Sequence, residues 1–225
     1  AIVGLSDLTS MMDDVPEQVR ENLGKIRSSS QYLLRLISDI LDMSRIESGK
    51  MTVSNEAFSM NRAVEELEDM LTAEATRRGL EFTVEKDVEN RTLMGDVIRL
   101  QQVLTNLVSN AFKFTPAGGS IIMRVTRTKS TNQQVIYKFQ VIDNGVGISV
   151  ENQKRVFGAF EQVGPNYSKS QGTGLGLTIS RTIVGLMGGE LKLKSELGKG
   201  SEFYFSAAFS LADPNVEEEI KIKQE

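Results

Sequence analysis

From Pro16 to Ser48 the chain carries one continuous apolar stripe, and a stripe of that length leaves few architectures open to the N-terminal part of the molecule. Val19, Ile26, Leu33 and Ile40 recur at one heptad position; Leu23, Ser30, Ile37 and Ser44 hold the other, and Leu34 and Leu41 widen the stripe. The pattern predicts a helix of about 50 Å, at about 1.5 Å per residue, in a coiled coil or bundle. Ala1–Met12, apolar at Ile2, Val3, Leu5, Leu8, Met11 and Met12, reads as the tail of an earlier helix. Between the two, Asp13-Asp14-Val15-Pro16 is a break, with Asp14 as N-cap and Pro16 in the first turn of the long helix. Two helices alone leave much of the stripe wet, so a hairpin that dimerises into a four-helix bundle is expected. A long helix packed on its own domain is the alternative, and it fits less well with a helix so much longer than average. Gly49 ends the helix as its C′ residue.

After Gly49 the periodicity becomes mixed α and β. Met51–Val53 reads as a short strand, Asn61–Arg78 as an amphipathic helix, and Leu80–Lys86 as a half-buried strand with Leu80, Phe82 and Val84 inward. Asp96–Phe114 is a helix, and Ser120–Lys129 and Gln134–Ile142 are strands joined by a polar turn. Val150–Phe157 is a short helix. Phe160–Gln171, with Gly164, Pro165, Asn166 and several serines, lacks period and reads as a mobile loop. Leu175–Met187 is a helix, and Gly188–Ser195 and Ser201–Leu211 form a strand pair across Gly198-Lys199-Gly200. The charged stretch 212–225 reads as a tail or linker.

Composition removes several classes of function. Net charge is −4 with no strongly basic stretch, which argues against nucleic-acid binding. There is no cysteine and no histidine, so disulfides and thiolate or imidazole metal sites are excluded. Oxygen ligands remain, and these suit Mg2+. No apolar run approaches the ~18 residues of a membrane span, so no membrane contact by this chain is expected. Ala1 starts inside an apolar pattern without a signal-peptide flank, as an excised fragment does.

Three segments carry candidate chemistry. In Asp96–Pro116, Asn106, Asn110 and Lys113 fall on a strip about 60° wide at about 100° per residue. Leu100, Val103, Leu104, Leu107, Ala111 and Phe114 fill a separate apolar arc. Asn is a mediocre helix former, so two on one stripe call for a reason. Amide oxygens can ligate Mg2+ and Lys can meet phosphate, although a solvated polar edge would look the same. In Val141–Ile148, an apolar strand ends in Asp143, followed by Gly145 and Gly147. The carboxylate can accept from an exocyclic amine such as adenine's, and the glycines let a flat ligand approach the backbone. An ordinary Asp-Asn-Gly hairpin turn is the bland alternative. In Gly172-Thr173-Gly174-Leu175-Gly176-Leu177, loop glycines precede a helix and expose N–H groups to a phosphate. The spacing is neither G-x-G-x-x-G nor G-x-x-x-x-G-K-[ST], and a Gly-rich structural turn is the alternative.

Taken in order, the Asn-x3-Asn-x2-Lys helix, the DNGVGI turn, Phe157 and Phe160, GTGLGL and GKGSEF closely resemble the N, G1, F, G2 and G3 boxes of sensor histidine kinases. The resemblance covers about residues 55–211, and Leu41–Lys50 resembles the exit of the kinase dimerisation hairpin. It implies an α+β chain: a two-helix hairpin (a four-helix bundle in the dimer) followed by an α/β sandwich with a mixed, mainly antiparallel sheet, the Bergerat-type ATP-binding fold. The implied domains are 1–49, a truncated dimerisation and histidine-phosphotransfer hairpin; 50–211, the catalytic ATP-binding domain; and 212–225, a tail or linker.

The implied cofactors are ATP and Mg2+. Asn110 would ligate the metal, and Asn106 and Lys113 would hold the phosphates as the catalytic pair. Asp143 would accept the adenine amine beside Gly145 and Gly147, and Ser201 would reach the adenine side through water. Phe160, with Phe157, would anchor a lid that Gly172, Thr173, Gly174, Leu175, Gly176 and Leu177 let close over the phosphates. Hydrolysing relatives place a Glu where this chain has Asn106, and an amide cannot act as a general base, so transfer to a protein side chain is expected rather than hydrolysis.

The family's acceptor histidine lies in a His-Glu-Ile-Arg-Thr-Pro-like stretch, which Ala1–Leu5 looks to follow; truncation explains its absence better than decay. The implied partners are a second copy, through the hairpin, and a response regulator or receiver domain. The implied location is the cytoplasmic part of a bacterial inner-membrane sensor. A dimeric nucleotide-binding scaffold without phosphotransfer is the alternative, and a hydrolysing ATPase is less well supported.

Overall fold

The computed structural model describes residues 1–12, 14–161 and 173–213. Gly172, most of the expected Phe160–Gln171 loop, and the tail from 214 onward lie outside the described residues, as does Asp13 in the expected break. The chain divides into two compact units, Ala1–Met51 and Thr52–Glu225.

The first unit is a hairpin of α1 (Ile2–Ser10) and α2 (Glu17–Glu47). Arg27 pairs with Asp7 at 3.1 Å, and the Arg20 guanidinium donates to the Ser10 carbonyl at 2.7 Å, closing the hairpin near its turn. Asp14 does not cap α2. Pro16 itself is the N-cap, at φ −56° and ψ 143°, and its carbonyl accepts from Val19 and Arg20. Proline has no N–H to satisfy there and its fixed φ suits helix entry. At the other end Gly49 adopts φ 65°, Gly49 N–H donates to the Ile46 carbonyl and Lys50 N–H to the Arg45 carbonyl, the paired bonds of a Schellman stop. The heptad residues Val19, Ile26, Leu33 and Ile40 stay exposed in the single copy, together with Leu34, Ile37 and Leu41 and with Ile2, Leu5 and Leu8 of α1.

The second unit is a seven-stranded mixed sheet overlaid by helices. In chain order it runs β1 (Glu56–Ser59), α3 (Met60–Arg78), β2 (Glu81–Asp87), β3 (Thr92–Gly95), α4 (Val97–Phe114), β4 (Ser120–Ser130), β5 (Gln134–Asp143), α5 (Val150–Gln153), α6 (Gly176–Leu186), β6 (Lys192–Glu196) and β7 (Gly200–Leu211). The strand order is β1-β3-β7-β5-β4-β2, with β6 also on β7. Among the described residues only β2 and β4 pair in parallel; the other pairings are antiparallel. On β5, Val135, Tyr137, Phe139 and Val141 alternate into the core, where Phe139 stacks on Phe205 of β7 with ring centres 4.8 Å apart. Helix α4 lies on β4 and β5, with α3 and α6 beside it. Its buried face is Leu100, Val103, Leu104, Leu107, Val108, Ala111 and Phe112. Among the described residues no helix is long and apolar enough to cross a membrane.

Several expectations need correction. Met51–Val53 is not a strand. The edge strand is Glu56–Ser59, fixed where buried Phe58 meets Phe209 edge-on with ring centres 5.5 Å apart. Strand β3 was not expected at all. The short helix stops at Gln153 rather than Phe157. Gly188 and Gly189 terminate α6 rather than begin a strand: Gly188 has φ 77° and Gly189 N–H donates to the Val184 carbonyl, so β6 starts only at Lys192. Phe114 is partly exposed, not core; Phe112 takes the inward position and packs edge-on against Phe82.

Candidate nucleotide site

The site is assembled along α4. Asp96 is its N-cap: one carboxylate oxygen accepts from Arg99 N–H at 2.9 Å and the other from Ser54 N–H at 2.8 Å. Both oxygens of this buried side chain are thereby used to fix where α4 begins, which sets the phase of every side chain after it. Asn106 lies at mid-helix and faces α6. Its Nδ2 donates to Ser180 Oγ at 2.9 Å, and a methyl group on Gly176 would collide with its Oδ1. Of the strip Asn106, Asn110 and Lys113, it is Asn106 that meets the first turns of α6 directly. Lys113 is half-buried, and burial lowers its pKa below the usual lysine value; its Nζ sits 5.0 Å from the centre of the Phe114 ring.

The other end of α4 meets the Asp143 turn. The Phe114 carbonyl accepts from Val146 N–H at 3.1 Å, and a side chain at Gly145 would collide with that carbonyl. Asp143 is 8% exposed, and its Oδ1 accepts from Gly145 N–H at 2.9 Å. Burial pushes its carboxyl pKa up, partly offset by N–H groups of Gly145 and Ser201. Ser201 stands opposite Asp143 in the β5–β7 pairing. Ser195 joins the two turns: its Oγ accepts from Ile148 N–H at 2.8 Å, donates to the Gly200 carbonyl at 2.8 Å, and lies 3.0 Å from Ser201 Oγ. Gln153 clamps the same region, donating to the carbonyls of Ile148 and Ser195.

Two glycines make this junction possible. Gly147, at φ 67°, lies where a side chain would strike the Glu196 carbonyl, and Gly200, at φ 106°, lies where one would strike the Asp143 carbonyl. Gly200→Ala combines left-handed strain with a backbone collision that no rotamer relieves. It is expected to destabilise the second unit by about 2–3 kcal/mol, read as a lower urea midpoint; an unchanged midpoint would refute the close approach.

Near α6, Phe160 holds φ 62°, and its N–H donates to the Gly174 carbonyl at 3.0 Å. Gly174, at φ 72°, has Phe160 backbone atoms 2.9 Å from where its Cβ would be. Positive φ at a phenylalanine is a strained conformation, of the kind that collects at functional sites. Thr173 Oγ1 accepts from Leu175 N–H at 3.1 Å, Leu175 is buried, and Leu177 is half-buried on the first turn of α6. Thr178 Oγ1 donates to the Phe157 carbonyl at 3.1 Å, and the Phe157 ring meets Phe203 edge-on. The structure thus brings Asn106 to Gly176 at one end and Asp143, Gly145, Gly147 and Ser201 together at the other. The two ends are about 12 Å apart along α4, eight residues at about 1.5 Å each. The sequence puts Phe114 in the apolar arc, whereas the structure sets it at the surface next to the candidate site. It is an exposed aromatic beside Asp143's turn, and the signal for it was its place as the last residue of the strip-bearing helix.

Among the described residues no three Asp or Glu side chains cluster as metal ligands. The oxygen donors on the strip are amides, which suit Mg2+ only when phosphate oxygens complete its shell.

A family model for histidine kinase-, DNA gyrase B-, and HSP90-like ATPases matches residues 95–211, and one for the His Kinase A (phospho-acceptor) domain matches residues 1–49. The chain is 36% identical over 218 residues to the signal transduction histidine-protein kinase BarA of Escherichia coli (strain K12), covering 96% of this chain and 23% of that protein. It is 37% identical over 224 residues to the sensor protein GacS of Pseudomonas syringae pv. syringae, covering 98% of this chain and 24% of that protein. It spans about a quarter of the length of these curated relatives. The crystal structure of full-length ShkA in complex with AMPPNP matches with a TM-score of 0.72 at 28% identity, over 94% of this chain and 43% of that one.

Proposed function

The chain belongs to the sensor histidine kinases, and we propose on that premise that it binds Mg2+–ATP along α4 and delivers the γ-phosphate to a histidine, for relay to a response-regulator aspartate. The observation that carries this reading is the arrangement of one helix with a buried carboxylate turn at one end and a glycine-opened helix N-terminus at the other. Asp143 would accept the adenine amine, with Gly145 and Gly147 clearing the base's approach and the exposed Phe114 ring offering a flat apolar surface. The phosphates would lie toward Asn106 and the first turn of α6, whose free N–H groups favour anions, with Lys113 as a cationic partner. Asn110 would hold Mg2+, which when bound neutralises charge on the transferring phosphoryl group.

No carboxylate stands at Asn106, and an amide cannot take a proton from water, so transfer to a protein acceptor is favoured over hydrolysis. The chain contains no histidine, so the acceptor must lie outside these residues. Residues 1–49 would dimerise through the exposed heptad face, residues 50–211 would form the catalytic unit, and a receiver domain or response regulator would take the phosphoryl group. A cytoplasmic position beneath a membrane sensor is consistent with these roles.

The test incubates the full gene product with γ-labelled ATP and Mg2+ and examines the label in acid. Acid-labile label is expected, as for a phosphoramidate. ATP binding by calorimetry with no label would favour the second reading, which the missing histidine motivates: a nucleotide-binding dimeric scaffold.

Asp143 gives a separate prediction. Its pKa is raised above 3.8 by burial, and only the ionised form accepts from adenine at full strength. ATP affinity is therefore expected to fall as pH drops through that raised pKa, at a higher pH than an ordinary Asp would give. Folding stability runs the other way: between 3.8 and the raised value the folded state binds more protons, so stability declines as pH rises through that window. Asp143→Asn is expected to weaken ATP binding about tenfold, at the low end for a hydrogen bond to a charged group, and to flatten the acid limb. Unchanged affinity by calorimetry would remove Asp143 from the base site.

A further inference from the structure

We propose that Ser180 is a positioning residue that decides which end of the Asn106 amide faces the nucleotide, an inference that rests on the nucleotide-site reading above. Ser180 is 2% exposed, on the second turn of α6. Its hydroxyl accepts from Asn106 Nδ2 at 2.9 Å. Gly176, one turn earlier on the same face of α6, has no side chain, and a Cβ there would collide with Asn106 Oδ1 and stand 2.9 Å from Asn106 Cγ. The amide therefore lies along α6 with its nitrogen on Ser180 and its oxygen beside Gly176.

The two ends of an amide have opposite chemistry. The NH2 group donates, as a phosphate oxygen requires; the carbonyl oxygen accepts, or ligates a hard cation. Turning the amide over would set its N–H groups against the first turn of α6, where backbone N–H groups already lack intrahelical acceptors. Ser180 holds the nitrogen and the helix start favours the oxygen, so the two constraints select one orientation. Asn106 then presents an oxygen on the same strip as Asn110, one turn away. In this arrangement Asn106 serves the cation of Mg2+–ATP rather than the phosphate oxygens directly, which refines the role expected of it from sequence.

The test titrates ATP into the 225-residue chain by calorimetry, once with Mg2+ and once with EDTA. Ser180→Ala frees the nitrogen and is expected to weaken Mg2+–ATP binding about tenfold, at the low end for loss of a group that orients a metal ligand, while metal-free ATP binds as in wild type. Ser180→Thr keeps a hydroxyl and is expected to keep the wild-type Mg2+ dependence. Equal losses with Mg2+ and with EDTA would mean a merely structural role and overturn the proposal, as would no loss at all. Should Ser180→Ala fail to fold, Ser180→Cys, close in size and a poorer acceptor, gives the same comparison. Wild-type chain that binds ATP without regard to Mg2+ also overturns the proposal, whereas wild-type chain that binds no ATP removes the nucleotide-site reading itself. That result is distinct from a Mg2+-dependent wild type beside an unaffected Ser180→Ala.

Discussion

Asn110→Ala should reduce phosphoryl labelling by about 100-fold or more, the loss typical of removing one preorganised group that stabilises transition-state charge, while leaving the fold intact. The separation of the two effects comes from the position of the side chain. Asn110 is half-buried on α4, off the buried face formed by Leu100, Val103, Leu104, Leu107, Val108, Ala111 and Phe112, and among the described residues its amide has no hydrogen-bond partner. Ala is the better helix former, so α4 should lose nothing and gain up to about 0.5 kcal/mol. Asn106→Ala makes the contrast: it breaks the bond to buried Ser180, so its functional loss would be mixed with loss of packing between α4 and α6. The discriminating measurements are the thermal midpoint, Mg2+–ATP affinity and label on the same Asn110→Ala sample. Full label with an unchanged midpoint would strike Asn110 from the site.

Asn110 also shows what kind of information the sequence holds. The strip of Asn106, Asn110 and Lys113 is local, fixed by helical periodicity once Asp96 sets the start of α4, and so it could be read from spacing alone. The hairpin was legible for the same reason, as was the β5 alternation ending at Asp143. What was not legible depends on partners distant in the chain. Strands β1 and β3 have four residues each, too short for an alternation of their own, and they exist because β7 and Phe209 give them something to pair with. Strand identity of that kind is set by tertiary context rather than propensity. Phe114 fell inside the apolar arc by angle, yet the helix stops at Thr115, which is extended at φ −102° and ψ 123°. The Gly145–Val146 backbone docks on the Phe114 carbonyl, and the ring is left at the surface. The Asn106–Ser180 bond spans 74 residues; nothing near Asn106 announces it, although the small side chains at Gly176 and Ser180, spaced by one helical turn, mark a face of α6 that something approaches closely. The ordered motifs did identify the family, because each ambiguous turn becomes specific only in sequence with the others.

The exposed seam of α2 leads to the second large effect. Replacing Ile26, Leu33 and Ile40 together with Asp should convert a dimer of this chain into a monomer. All three share one heptad position and lie exposed in the single copy, Leu33 at 56% and Ile40 at 49%. Leu34, Ile37 and Leu41 are exposed beside them, and Ile2, Leu5 and Leu8 on α1 as well, an accumulation of apolar side chains of the kind that marks an interface. Burying each such side chain contributes about 1.5 kcal/mol or more, and a two-fold dimer loses each of the three twice, about 9 kcal/mol in gross terms. Association costs and imperfect burial reduce that figure, but a third of it still raises the dissociation constant more than about a hundredfold. Asp adds a further penalty, since in a closed bundle its charges would be buried without partners. The measurement is sedimentation across a concentration series. Wild type should shift from monomer to dimer with concentration and the triple variant should stay monomeric. ATP affinity, which depends on residues in the second unit, serves as the control that the variant remains folded there. A wild-type chain that is monomeric at every concentration would show that the seam packs against something other than a second copy, and the four-helix bundle would have to be abandoned.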